Sequence, residues 1–206
     1  ASWLRDAVSR TVALDIDPLK NMSLKEFKAY FEPLVELYMG LYNLEKVTIA
    51  AINGFALGAG FEMTLLCDFR IAADTAKLGE FFVRMGLVPE IGMCLLPGIV
   101  GPGMARYMCY TGELIDAQEA HRIGLVEKVV PVAELLPEAE KLARRLARGP
   151  AAVGIIKKAI NQIGGLPIEL TTDVAINYQF AASRTSDHAE AVTSFLEKRK
   201  PSFSGR

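Results

Sequence analysis

The feature that most constrains the fold is an apolar run that stops at a glycine and resumes, after a second glycine turn, as a helix. Val47–Asn53 is β-branched and mostly apolar, which predicts a strand buried on both faces. Gly54 ends this strand. The run Gly58-Ala59-Gly60 is typical of a flexible turn, and good helix formers follow in Phe61–Cys67. We therefore predict a strand, a glycine turn and a helix in succession.

The rest of the chain predicts further βα units and then helices alone. Strands are expected over 68–73 and 125–130, and the pattern is helical from residue 131 to Lys200. Ser23 and Glu26 form a capping box that begins a helix, and Asp116 with Glu119 begins another. The predicted apolar face of the first helix, which Pro33 should kink or split, consists of Leu24, Phe27, Tyr30, Phe31, Leu34 and Leu37. These patterns predict an α/β core over 1–131 and a helical region over 132–206.

Composition narrows the class of partner. The chain has 206 residues, 51% of them hydrophobic, and a formal net charge of −1. This composition describes a globular protein and argues against nucleic acid as a main partner. The longest charge-free stretches, Val47–Phe61 and Ile91–Ala105, are shorter than the roughly 20 apolar residues of a membrane-spanning helix. We interpret Cys67, Cys94 and Cys109 as reduced core residues, which favours the cytoplasm or an organelle matrix.

The glycine turn and two carboxylates are the candidate chemistry. Free N–H groups where a helix begins would bind an oxyanion, although the same glycines also permit tight packing of strand on helix. No serine lies between residues 24 and 182, which excludes a core serine nucleophile, and the two histidines form no metal site or triad. Glu62 and Glu90 lie in apolar surroundings. Each could be a general acid or base, or could complement a helix N-terminus.

Several segments together resemble one known family. In order along the chain they are Ala51-Ile52-Asn53-Gly54-Phe55-Ala56-Leu57-Gly58-Ala59-Gly60-Phe61-Glu62, Cys67-Asp68, Ile71-Ala72-Ala73, Ala76-Lys77-Leu78-Gly79, Gly86-Leu87-Val88-Pro89, Thr111-Gly112, Gly124-Leu125-Val126 and Phe195–Pro201. This set resembles the crotonase, or enoyl-CoA hydratase/isomerase, superfamily. The resemblance implies a crotonase (ClpP-like) spiral of βα turns, with a C-terminal helical appendage that builds trimers or dimers of trimers.

The resemblance also implies an oxyanion hole for a CoA thioester. The Ala59 N–H matches one of its two donors, and Gly60 with its helix adds a dipole. Family members begin with further strands and an Ala-Gly-Ala-Asp-like segment that supplies the other donor. Ala1-Ser2-Trp3-Leu4 resembles the stretch that comes directly after that segment, so we expect the first strands and the first donor to be missing from this chain.

The acid–base residues can be matched position by position. Hydratases of the family use two glutamates, and Glu62 matches the first. The second matches Phe82, so two-carboxylate hydration would need Glu80 to turn into the site. The stretch 82–90 instead resembles isomerase branches of the family, which place a catalytic carboxylate at the position of Glu90. The acyl pocket would be lined by Phe81, Phe82 and Met85, residues that could equally be plain core.

The sequence thus predicts an acyl-CoA-processing enzyme of the isomerase type, with Glu90 as its acid–base group. A hydratase that uses Glu62 and Glu90 is one alternative, and a catalytically silent CoA-binding subunit is another. We expect no cofactor besides the coenzyme A of the substrate, and no metal. Phe180 and Lys198 are the expected contacts of the CoA adenine and phosphates.

Overall fold

The structure, a computed structural model, describes residues 17–206. The predicted segment at Ala1–Leu4 therefore lies outside the described residues. Strands and helices are interspersed up to Val130 and helices follow, as the sequence predicts, although its patterns do not predict the short strands at 55–57, 77–79 and 115–116. The strands are β1 (Ile49–Ile52), β2 (Phe55–Leu57), β3 (Phe69–Ala73), β4 (Lys77–Gly79), β5 (Ile115–Asp116) and β6 (Lys128–Val130). The helices are α1 (Leu24–Tyr42), α2 (Ala59–Leu65), α3 (Gly92–Thr111), α4 (Ala117–Arg122), α5 (Leu135–Ala147), α6 (Ala152–Ile163), α7 (Ile168–Ser183) and α8 (Ser186–Leu196). Short 3-10 helices cover Asp17–Asn21, Phe81–Met85 and Val132–Glu134.

Two compact units divide the described chain. The first contains residues 17–43 and 48–139, and the second contains residues 44–47 and 140–206. All six strands belong to the first unit, together with helices α1 to α4. The second unit is helical.

The first unit contains two three-stranded sheets. In one sheet β3 lies between β1 and β6, and all three strands are parallel, with Ala51 opposite Ile71. In the other, β4 pairs in parallel with β2 and antiparallel with β5. Parallel neighbours need a crossover connection, and the connections from β1 to β3 and from β3 to β6 both contain helices.

One apolar core joins both sheets to the helices around them. Strands and helices both contribute large apolar side chains to it, and alanines on both let them pack closely. The buried members are Ile52, Ala56, Phe61, Leu65, Ala72, Ala76, Leu78, Leu96, Ala105, Met108, Ile115, Ala117, Ala120, Leu125 and Val126. Helix α2 thus begins next to the sheet and is held there by Phe61 and Leu65, which fixes the glycine turn before it.

Helix α1 differs from its prediction in two ways. The capping box is present, because the Ser23 hydroxyl accepts the Glu26 N–H and the Glu26 carboxylate accepts the Ser23 N–H. Pro33 is predicted to kink or split the helix; the helix continues through Pro33, so the split is wrong. The predicted face is also partly wrong, since Leu24 and Leu37 are exposed. The buried residues of the helix are Leu34, directly after Pro33, and Tyr38, one turn later. Their burial stabilises the part of the helix that follows the proline.

The second predicted cap, Asp116, is present, and the cysteines are only partly as predicted. Asp116 caps α4, since its Oδ1 accepts the Glu119 N–H at 2.8 Å. None of the three cysteines forms a disulfide in the described residues, but Cys94 is exposed on α3 rather than in the core, and the other two are half-buried. The α3 axis breaks at Gly101, where φ is 78°. Between residues 17 and 206, no helix combines the length and the apolar character needed to cross a membrane.

The second unit is organised around a buried carboxylate. Asp187, near the start of α8, accepts N–H groups from Ala151 at 2.8 Å, Ser204 at 2.7 Å and Gly205 at 2.9 Å. These hydrogen bonds lower the pKa of Asp187 against the opposing effect of burial, which is the largest single influence on it. One side chain therefore joins the residue before α6 to the segment after α8.

Candidate active site

The glycine turn begins α2 as the sequence predicts. Gly58 precedes the helix with φ of 51°, a left-handed conformation that favours glycine. Its N–H donates to Gly79 of β4 at 3.1 Å, so the turn is attached to the second sheet. Ala59 and Gly60 are the first two residues of α2, and N–H groups at this position have no acceptor within the helix. The turn thus offers two backbone donors at the positive end of the α2 dipole.

Glu62 is buried one turn further along α2 and is held by three donors. Its Oε1 accepts the N–H groups of Ile91 at 2.9 Å and Gly92 at 2.8 Å. Its Oε2 accepts the hydroxyl of Tyr38 at 3.0 Å. Glu62 therefore does complement a helix N-terminus, but that of α3 rather than its own. Fixed donors therefore converge on both oxygens of Glu62.

Glu90 lies beside Glu62, immediately before α3. It is half-buried, and its Oε2 has no hydrogen-bond partner among residues 17–206. Burial, then hydrogen bonding to Glu62, then the charge of Glu62 raise the pKa of Glu90 to about 8. The structure thus brings the two predicted carboxylates together. A carboxyl group with this pKa can both accept and return a proton near neutral pH.

Glu80 completes a group of three interacting carboxyls. It is fully buried, and within the described part of the chain neither of its oxygens has a hydrogen-bond partner. Burial, followed by the charges of Glu62 and Glu90, raises the pKa of Glu80 to about 9. Only a glycine at position 92 leaves room for it, since a Cβ there would lie 1.8 Å from Glu80 Oε1 and 3.3 Å from Glu62 Oε1. Sequence reasoning considered Glu80 only as a replacement for the missing second glutamate.

The predicted pocket residues take different positions on one 3-10 helix. Phe82 is buried and its ring faces the glycine turn, 3.5 Å from where a Cβ on Gly58 would lie. It packs with Ala59 and Tyr38 in a small apolar cluster. Met85 is exposed, and Phe81 is half-buried with the guanidinium of Arg84 5.7 Å from its ring centroid. Of the three, Phe82 is the one in contact with the turn that contains the predicted oxyanion donor.

The predicted CoA contacts lie in the second unit. Phe180 is exposed on α7, with the guanidinium of Arg184 5.9 Å from its ring centroid. Lys198 is exposed just after α8 and has φ of 54°, unusual for a residue other than glycine. Their roles stay predictions.

Tyr38 is the site residue that sequence reasoning missed. It is buried on α1, and its hydroxyl lies 3.0 Å from Glu62 Oε2 and 3.4 Å from the carbonyl oxygen of Ala59. Its position follows from the helical period, because Phe27, Phe31, Leu34 and Tyr38 form one stripe along α1. That spacing could have identified Tyr38 as buried, but not its partner.

Comparison with known proteins decides the family. The model of the family described as enoyl-CoA hydratase/isomerase matches residues 13–206. The chain belongs to the enoyl-CoA hydratase/isomerase family. A crotonyl-CoA hydratase from Syntrophomonas wolfei is 42% identical over 191 residues, which cover 92% of this chain and 74% of that protein. A 1,2-epoxyphenylacetyl-CoA isomerase from Escherichia coli is 37% identical over 191 residues, which cover 92% of this chain and 71% of that protein.

Solved structures of the enoyl-CoA hydratase/isomerase family agree with the fold. An enoyl-CoA hydratase from Bacillus anthracis superposes with a TM-score of 0.84 at 34% identity, covering 90% of this chain and 73% of that one. The α/β crotonase fold is thus confirmed, and the protein is an enzyme of an acyl-CoA-processing family. No cluster of three or more His, Cys, Asp or Glu side chains within residues 17–206 is arranged to hold a metal ion.

Proposed function

We propose that this enzyme is an isomerase-type catalyst that moves a double bond or opens a ring in an acyl-CoA, with Glu90 as its acid–base group. The observation that carries the proposal is the difference between two neighbouring carboxylates. Both oxygens of Glu62 accept fixed donors, whereas Glu90 keeps Oε2 without a partner in the described chain and is half-buried. A general base must have an oxygen that no protein donor occupies, and the buried Oε2 of Glu90 meets this requirement whereas neither oxygen of Glu62 does.

The reaction needs one carboxylate and one oxyanion site. Glu90 removes a proton from a carbon of the acyl chain, and the electron pair of the broken C–H bond moves into the thioester carbonyl to give an enolate. The Ala59 N–H, at the start of α2, stabilises the oxyanion. Glu90 then returns the same proton to another carbon, and the carbonyl re-forms. Atoms and charge balance without water.

The raised pKa of Glu90 predicts how activity depends on pH. The reaction starts with a deprotonated base, so kcat/KM rises with pH and levels off above the pKa of Glu90, about 8 in the free enzyme. A rise of kcat/KM centred at the ordinary pKa of a glutamate would contradict the role of this buried carboxyl.

Substitution of the two carboxylates tests the assignment. We expect Glu90→Gln to lower kcat on a panel of enoyl-CoAs by about 10²- to 10⁴-fold, the usual contribution of a general acid–base group. Glu62→Gln keeps an oxygen that can accept the N–H groups of α3, so we expect a loss of no more than about 10-fold. Unchanged turnover in Glu90→Gln would overturn the assignment.

Hydration is the second candidate, with Glu62 and Glu90 as the pair of carboxylates. It is favoured by the names of relatives, among them a short-chain-enoyl-CoA hydratase from Clostridium acetobutylicum that is 38% identical over 190 residues. Turnover in heavy-oxygen water separates the two reactions. Isomerisation leaves the product without label, whereas hydration places one labelled oxygen in it.

We propose that coenzyme A enters only as part of the substrate and that Phe180 and Lys198 contact it, with no further cofactor. We also propose a homotrimer or a dimer of trimers, in the cytoplasm or an organelle matrix. Large exposed apolar residues on α7 and α8 support self-association.

A further inference from the structure

Tyr38 connects the acid–base pair to the predicted oxyanion donor. Its side chain comes from α1, whereas Glu62 and Ala59 both belong to α2. The hydroxyl is buried, 3.0 Å from Glu62 Oε2 and 3.4 Å from the Ala59 carbonyl oxygen. The ring packs with Leu34, Ala59 and Phe82, so its position is fixed by apolar contacts and does not depend on the hydroxyl.

We propose that Tyr38 is a positioning residue whose hydroxyl donates to Glu62 and holds that carboxylate in place beside Glu90. This inference rests on the proposed function, because it concerns the proton that Glu90 carries.

Three hydrogen bonds hold the Glu62 charge, and all come from neutral donors. Two are backbone N–H groups at the start of α3 and the third is the Tyr38 hydroxyl. Hydrogen bonds to a charged acceptor are about twice as strong as neutral ones, so the single hydroxyl proton favours Glu62 over the Ala59 carbonyl while Glu62 is ionised. The Tyr38 hydroxyl is the side-chain donor among these three, and Glu90 also hydrogen-bonds to Glu62 when it is protonated.

The surrounding charges make this donor important. The groups that face Tyr38 are the carboxyls of Glu62, Glu90 and Glu80, which together with burial hold the pKa of the phenol far above its ordinary value. Tyr38 therefore remains a donor throughout the working pH range. The Cys109 thiol also faces Glu80 and Glu62, and its pKa is raised to about 11 by burial and by those charges. Without the hydroxyl, Oε2 of Glu62 would lose this donor, and Glu90 would hold the proton of the pair less firmly.

Tyr38→Phe tests this directly, because it removes one oxygen and keeps the ring. We expect the rising limb of the kcat/KM profile to move to lower pH by about one unit, since the proton of the pair then resides less on Glu90. We also expect kcat to fall about 10-fold with little change in KM, the effect of one hydrogen bond to a charged group. Tyr110→Phe is the matched control, since Tyr110 is exposed on α3, and it should leave both quantities unchanged.

Two further variants keep the test decisive. In a Glu62→Gln background, Tyr38→Phe should no longer move the limb, because the charge that the hydroxyl holds is gone. Replacement of Tyr38 with 3-fluorotyrosine gives a more acidic phenol and a stronger donor, so the limb should move to higher pH even if Tyr38→Phe is unstable. A limb that does not move in either Tyr38 variant, or that moves equally in the Glu62→Gln background, would overturn the inference.

The same experiments separate this inference from the proposed function. If Glu90→Gln abolishes turnover while the Tyr38 variants leave the limb in place, the inference alone is wrong. If Glu90→Gln leaves turnover unchanged, the proposed function is wrong and the Tyr38 profile then reports on a different acid–base group.

Discussion

Glu80 shows how a single residue makes the folded protein sensitive to pH. Its carboxyl is buried beside Glu62 and Glu90, and its pKa is raised from 4.5 to about 9, mainly by burial. The folded state thus binds a proton that the unfolded state releases near pH 4.5. The contribution of this proton to the free energy of unfolding is fully present below that pH. It decreases as pH rises toward 9, by up to about 1.4 kcal/mol per pH unit.

Glu80→Gln should remove this contribution, because an amide does not titrate. Between pH 5 and 9 the free energy of unfolding should fall less steeply with pH in the variant than in the parent. We expect the two slopes to differ by up to about 1 kcal/mol per pH unit. Urea unfolding at several pH values measures the slope. Glu32→Gln, at an exposed position of α1, is the control and should leave the slope unchanged. Equal slopes in Glu80→Gln and the parent would show that Glu80 is ionised in the fold.

At the scale of elements, the N-terminus of α3 organises the site. The N–H groups of Ile91 and Gly92 donate to Glu62 of α2, and the Cα of Gly92 faces both Glu80 and Glu62. Two helices and the loop after β4 therefore meet at a position where a side chain cannot fit. The packing of these elements, more than any one residue, sets the spacing of the three carboxyls.

Two glycines of α3 allow a matched comparison. A methyl at Gly92 would collide with Glu80, whereas nothing lies within 4 Å of a Cβ built on Gly98. Alanine is favoured over glycine in a helix by about 1 kcal/mol, so Gly98→Ala should raise the free energy of unfolding by up to that amount. We expect Gly92→Ala to lower it, by about 1–3 kcal/mol as for an overpacked core, and to reduce turnover. Unfolding midpoints measure both, and a stabilised Gly92→Ala would contradict the arrangement.

At the scale of the whole molecule, exposed apolar residues of the second unit predict self-association. Patches of this kind on a protein surface mark interfaces between proteins. Those on α7 and α8 are Ile168, Leu170, Ile176, Phe180, Val192, Phe195 and Leu196. The division into a core over 1–131 and an oligomerisation region over 132–206 also stays a prediction at this scale.

Light scattering tests the assembly. We expect a mass of three or six chains, where one chain is 22.5 kDa, and we expect Ile176→Glu to lower it because a charge in an apolar interface is left unpaired. Leu24→Glu changes an equally exposed leucine of the first unit and is the control. A monomer in the parent protein, or an unchanged mass in Ile176→Glu, would contradict self-association through this surface.

The sequence by itself determined the local structure and the family. The strand at β1, the Gly58 turn and the caps at Ser23 and Asp116 depend on residues close together in the chain, so period and turn chemistry predict them. The order of the motifs likewise indicated the crotonase superfamily before any fold was described.

Only the tertiary structure decided which side chains meet. Glu62 accepts hydrogen bonds from an N–H group at the start of α3 and from the hydroxyl of Tyr38. The carboxyl oxygens of Glu80 are buried without a hydrogen-bond partner in the described residues. No local sequence pattern predicts either arrangement. Burial and hydrogen bonding depend on elements that are far apart in the chain and adjacent in space. The ionisation of a carboxyl follows from those surroundings, so its identity alone does not determine its role.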